Sequence, residues 1–196
     1  MSTVAGRIGP NAITRMAEAL QHRLGAAVTA ELFALAGLTR HLAQPPQKMV
    51  DEAEARQLHV TLRSALGARV AAEVSHEAGV ATAEYLLAHR IPKPVQALLR
   101  LLPATLACRL LLAAIRRNAW TFAGSGHFEA RAGRPALLTI RDNPLCRGQS
   151  GDEPVCDYYA ATFEHLFRRL VHRDTRVTEL SCEARGDDAC RFELRW

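Results

Sequence analysis

Residues 156–196 read CDYYAATFEHLFRRLVHRDTRVTELSCEARGDDACRFELRW, and the periodicity of this stretch changes once along its length. Tyr159, Phe163, Leu166, Phe167 and Leu170 recur at intervals of three and four, so one amphipathic helix is expected over residues 156–171. The period then falls to two, predicting strands over about 176–183 and 189–196 around Gly186-Asp187-Asp188, a plausible hairpin turn. A helix feeding an antiparallel pair makes the C-terminal end mixed in class.

Working outward, Ala136-Leu137-Leu138-Thr139-Ile140 reads as a buried strand, and residues 141–153 as a loop rich in Asn, Pro, Gly and Ser. Gly124, Gly126 and Gly133 break the preceding segment into short runs, with His127 in a turn-like place. Farther upstream the pattern is helical. Ile13, Met16, Leu20 and Leu24 predict a first helix after Pro10 that stops at Gly25; Val28, Leu32, Leu35 and Leu42 predict a second, ended by Pro45-Pro46. Asp51 and Glu54 resemble a capping box opening a third helix through Leu58, Leu62 and Leu66, with Gly67 ending or bending it. A fourth helix is expected over 68–89, and an apolar fifth after Pro94, where Pro103 produces a kink or begins a new helix. The expected class is α+β: one domain spanning 1–196, with a mainly helical layer over 1–119 packed on an antiparallel sheet within 120–196.

A chain that is 48% hydrophobic and 23% charged folds by itself. The net charge of +5 is read as scattered, with Arg116-Arg117 and Arg168-Arg169 on solvated helix faces, so no nucleic-acid partner is expected. Arg100, Pro103 and Arg109 interrupt the most apolar segment, 95–115, and exclude a bilayer span; a core helix or a membrane-surface role stays open there. The first seven residues lack an apolar signal region, so a cytoplasmic location is expected. In that compartment five cysteines point to metal ligands or buried thiols before disulfides.

Cys182 and Cys190 lie symmetrically about Gly186 and would face each other across the hairpin, close enough to share a metal or to oxidise. Cys156, at a helix start where unpaired amides favour a thiolate, is a third candidate ligand. Glu179 is a fourth, although an offset of three puts it on the opposite strand face from Cys182 unless a bulge or strand end intervenes. Spacing leaves zinc, buried thiols and a Cys182–Cys190 disulfide all open. Four protein ligands would close the site to water and make the ion structural. Cys146 is placed outside this shell, in the polar loop, with replacement of Glu179 as the alternative, and Cys108 is read as a buried thiol.

The run from Cys156-Asp-Tyr-Tyr through Glu179-x-x-Cys182-x7-Cys190-x-Phe192 resembles the V4R (4-vinyl reductase) domain family. The resemblance covers about 120–196, and the helical part before it is similar to that of family members from bacteriochlorophyll biosynthesis. It implies an α+β fold shared with trafficking-complex subunits, and structural zinc on Cys156, Glu179, Cys182 and Cys190. It also implies work on a magnesium tetrapyrrole of the divinyl protochlorophyllide or chlorophyllide class. No dinucleotide fingerprint, P-loop or iron–sulfur spacing is present to supply a hydride or electrons. The expected function is therefore binding: an accessory protein that presents the pigment to bacteriochlorophyll biosynthesis enzymes, cytoplasmic or peripheral to the photosynthetic membrane. A vinyl reductase with a borrowed donor, or a homodimeric sensory or interaction module, are the alternatives. For the pigment, Leu98, Leu102, Leu106 and Leu110 would line a wall, and Arg109 and Arg116 would pair with a propionate. Trp120, Phe122 and Phe128 would stack on the macrocycle and His127 would ligate magnesium. For the leucines and aromatic residues core packing is the competing role, and for His127 simple surface exposure.

Overall fold

The computed structural model describes residues 6–196. In chain order the elements are β1 (Arg7–Ile8), α1 (Asn11–Leu35), α2 (Arg40–Ala43), β2 (Val50–Asp51), α3 (Glu52–His89), α4 (Lys93–Leu101), α5 (Ala104–Arg117) and α6 (Trp120–Ala123). There follow β3 (His127–Arg131), β4 (Ala136–Arg141), α7 (Asp157–Leu170), β5 (Arg176–Ser181), a short 3-10 turn and β6 (Cys190–Arg195). The expected α+β class holds: helices come first, and the last four strands form one antiparallel sheet in the order β3-β4-β6-β5.

Local chemistry sets the helix boundaries. The Asp51 carboxylate accepts the Ala53 amide at 2.8 Å and caps α3, as its place before Glu54 suggested. Gly25 and Gly67 interrupt α1 and α3 where helix breaks were expected: each has non-helical backbone, at φ 85° and 77°, a region open to glycine, so each element is two helical segments joined at a kink. Pro103 begins a new helix, so the apolar segment becomes two short rods, α4 and α5.

Helix α7 is the centre of the molecule. One side lies along α3, where the Thr162 hydroxyl donates to the Gly79 carbonyl at 3.0 Å and the Thr82 and Tyr158 hydroxyls meet at 2.9 Å. A Cβ on Gly79 would stand 2.3 Å from the Tyr158 carbonyl oxygen, so a residue without a side chain is what lets the helices approach this closely. On the sheet side, Phe163 packs among Phe122, Phe128, Tyr159 and Phe192, with ring centroids 5.5–6.3 Å apart.

Three strands differ from expectation. His127 opens β3, pairing with Arg141 in a five-residue ladder, where the sequence suggested a turn. Its glycine-flanked, half-exposed run has little strand signal of its own and is ordered by the edge of β4. The pair β1–β2 joins residues more than forty positions apart, a contact that no local pattern encodes. The expectation about the N-terminal leader rests on residues 1–7, of which 1–5 lie outside the described residues.

Candidate functional site

Four chain segments converge at one end of the sheet: the loop after β4, the start of α7, the end of β5 and the start of β6. Each contributes a cysteine. The sulfur atoms of Cys146, Cys156, Cys182 and Cys190 all lie within 4.8 Å of one another and all four residues are buried. Their six separations are 3.3, 3.7 and 3.4 Å from Cys146 to Cys156, Cys182 and Cys190, then 3.9 Å (Cys156–Cys182), 3.5 Å (Cys156–Cys190) and 3.9 Å (Cys182–Cys190). None approaches the roughly 2.05 Å of a disulfide, which removes the Cys182–Cys190 bridge left open by spacing. A tetrahedron with metal–sulfur bonds of about 2.3 Å has edges of about 3.8 Å, close to the observed set. The four buried thiols can therefore hold a metal ion.

Cys146 is the correction. Its loop reads as polar and solvent-facing, but the residue is only 3% exposed. Asp142 takes a left-handed backbone (φ 53°), the Asn143 amide donates to Glu183 at 2.8 Å, and the Asn143 side-chain oxygen accepts the Leu145 amide at 3.1 Å. This tight turn swings Cys146 inward. Asn143, itself fully buried, also donates its side-chain amide to the sulfurs of Cys156 and Cys190, both at 3.3 Å, and the Glu183 amide donates to Cys190 at 3.4 Å. N–H donors aimed at sulfur stabilise thiolate charge.

Glu179 stands beside the four thiols. The ladder shifts between Glu179 and Ser181, the bulge required to bring Glu179 and Cys182 to one side. One Glu179 oxygen accepts the Cys156 amide at 3.1 Å, while the other is buried with no partner among the described residues. Burial and the neighbouring Cys182 push its carboxyl up to about 9. Burial likewise raises the Cys156 thiol, whereas hydrogen bonds from neighbouring thiols, Cys146 first, hold Cys182 low. Cys108 is a lone buried thiol in α5, as expected.

The residues expected around a pigment are dispersed. Phe122 and Phe128 turn into the aromatic core, 5.1 Å apart edge to face. Leu102 is half-buried; Leu98, Leu106, Leu110, Arg109 and Arg116 face solvent on α4 and α5, so the leucines form no pocket wall. His127 is exposed, its Nδ1 3.9 Å from the Asp142 carboxylate. Trp120 is different. At 62% exposure it stands on a cleft of about 600 Å³ lined also by Arg7, Lys48, Met49, Gly124 and Ser125. Below this rim the Glu52 carboxylate accepts the Ser125 amide at 2.7 Å, the Ser125 hydroxyl at 2.6 Å and the Arg147 guanidinium at 2.7 Å, fixing the cleft floor. Arg7, Lys48 and Met49 carried no motif, because they meet Trp120 only through the β1–β2 pairing.

Residues 137–196, which carry all four clustered cysteines, match the V4R domain. Fold and site thus define a V4R-domain protein with an added helical layer. A bacteriochlorophyll synthase 23 kDa chain of Cereibacter sphaeroides is 44% identical over 191 residues, covering 97% of this chain and 91% of its own. Another so named, from Rhodobacter capsulatus, is 40% identical over 188 residues, 96% of this chain and 86% of its own. The chain belongs to the family of these 23 kDa chains. Among solved structures, an H-NOX protein from K. algicida superposes with a TM-score of 0.63 at 8% identity, covering 96% of each chain. A second H-NOX structure gives 0.61 at 12% identity, covering 96% of this chain and 95% of its own. These likenesses show a shared fold.

Proposed function

We propose that this chain is an accessory protein of bacteriochlorophyll biosynthesis, binding a magnesium tetrapyrrole of the divinyl protochlorophyllide or chlorophyllide class and presenting it to pathway enzymes. Near full-length similarity to the 23 kDa chains supplies the pathway. The observation that carries a binding role over a catalytic one is the closed cysteine cluster. Four protein donors leave no corner for substrate or water, so an ion there, which we take to be zinc, cross-links the fold and does no chemistry on a ligand. Cys146, Cys156, Cys182 and Cys190 would hold it, with Glu179 against them.

The pigment is assigned to the Trp120 cleft. A flat apolar macrocycle would stack on the indole, and Arg7 or Lys48 would meet its carboxylate. Arg7 is already oriented by donating to the Met49 carbonyl. The test is a titration of the protein with divinyl protochlorophyllide, followed by pigment absorption and fluorescence. Saturable binding is expected, weakened about three- to tenfold by Trp120→Ala. No saturable change would sink the proposal. Conversion of the vinyl group to ethyl on adding a defined reductant would replace it by the reductase reading.

A further inference from the structure

Between Glu84 and Glu129 the chain contains no acidic residue and six basic ones: Arg90, Lys93, Arg100, Arg109, Arg116 and Arg117. The rest of the chain has nineteen basic against twenty acidic residues, so the whole positive surplus lies in this stretch, which contains α4 and α5. The surplus that reads as scattered is concentrated in this one stretch of the chain.

The same two helices leave part of their apolar side chains uncovered. Val95, Leu98 and Leu101 recur at intervals of three on α4 and are 43%, 53% and 84% exposed. On α5, Leu106 and Leu110 are 42% and 45% exposed, while Ala107, Cys108, Leu111 and Leu112 on the other side are buried. Helical geometry sets Arg117 in line with Leu106 and Leu110, and Arg109 and Arg116 along one flank. Arg100 is held by the Arg169 carbonyl and by Gln96; among the described residues none of Lys93, Arg109, Arg116 or Arg117 is in an ion pair with a carboxylate.

We infer that the α4–α5 face docks on an anionic lipid surface. Exposed aliphatic side chains on both helices, with unpaired cations in line with and flanking those of α5 and no acid in the stretch, form the pattern of interfacial helices, whose leucines enter the acyl boundary while Lys and Arg meet phosphate. A protein partner would ordinarily be met by aromatic anchors and a rim of both charge signs, and this face has neither. No helix of the described residues is long and apolar enough to cross a membrane, so docking would be in the interface plane. The proposal does not rest on tetrapyrrole binding.

The full chain, with no pigment added, is centrifuged with phosphatidylcholine vesicles and with vesicles containing about one-third phosphatidylglycerol. Sedimentation with the anionic vesicles is expected, weakened at least about tenfold by their replacement with neutral ones or by high salt. Leu98→Ser with Leu101→Ser, and separately Arg109→Glu with Arg116→Glu, should each weaken it about tenfold or more with unchanged thermal unfolding, since these side chains are exposed. No sedimentation, or equal sedimentation with neutral vesicles, would overturn the inference. So would a dimer that Leu101→Glu dissociates in a chain that ignores vesicles, because the face would then belong to a second copy.

Discussion

Cys146 and Cys156 hold their sulfur atoms 3.3 Å apart across a polar loop, and Asn143 at the start of that loop donates to the sulfurs of Cys156 and Cys190. The loop is thus as much part of the cluster as the hairpin. Cys146→Ser is expected to lose bound zinc as completely as Cys182→Ser, while Glu179→Gln keeps it. Both cysteine variants should melt about 10 °C or more below the wild type, because the binding free energy of a structural metal is folding free energy. Elemental analysis beside thermal unfolding checks this; zinc retained in Cys146→Ser and lost in Glu179→Gln would restore the shell expected from the sequence.

His59 is buried on α3, edge-on to Tyr158 at 5.7 Å, with Nε2 unpartnered among the described residues. Burial, then the nearby Arg63, lower its pKa to about 4. The unfolded chain therefore binds this proton first as pH falls. Stability is full above the ordinary histidine value of about 6.5, declines toward pH 4 and levels off below, an effect on the order of 3 kcal/mol. Denaturant midpoints across that range should fall for the wild type, and His59→Gln should flatten the portion due to this residue.

Gly79 lies where α3 meets α7. In Gly79→Ala the new methyl would meet backbone at Tyr158, so one helix must shift. A loss of about 1–3 kcal/mol is expected. Urea unfolding measures it, and an unchanged midpoint would mean that the helices are not packed so closely.

Glu52 sits under the Trp120 cleft with Ser125 and Arg147. Burial alone would raise its carboxyl, but hydrogen bonds from Ser125 and the Arg147 charge outweigh it and hold the pKa below the usual range. This stabilisation is present at neutral pH and is lost as pH falls through the lowered value. Arg147 would keep its bonds to the Ser125 hydroxyl and the Asp142 carbonyl, but Glu52→Ala leaves the Ser125 amide without its acceptor and should cost about 1–3 kcal/mol in urea unfolding, while weakening the proposed pigment binding through a loosened floor.

Much of this architecture was legible in residue order. The Asp51 cap, the break at Pro103, the amphipathic α7, and strands β4, β5 and β6 each follow from side-chain period or backbone chemistry acting within a few residues. Even the bulge beside Glu179 was implied, since three residues cannot return to one strand face without it. The sequence alone also showed that Cys156, Cys182 and Cys190 sit at element ends, where metal ligands are found. Tertiary structure decided the rest. Cys146 joins the cluster because a left-handed residue and a buried asparagine turn its loop inward, and Trp120 gains Arg7 and Lys48 because distant strands pair. The leucines of α4 and α5 stay exposed because the rest of the chain packs only on the other side of each helix, burying Leu99, Leu111 and Leu112. Local periodicity reports which way a side chain points along its own element; which segments then meet is settled by long-range packing, to which a window of sequence is blind.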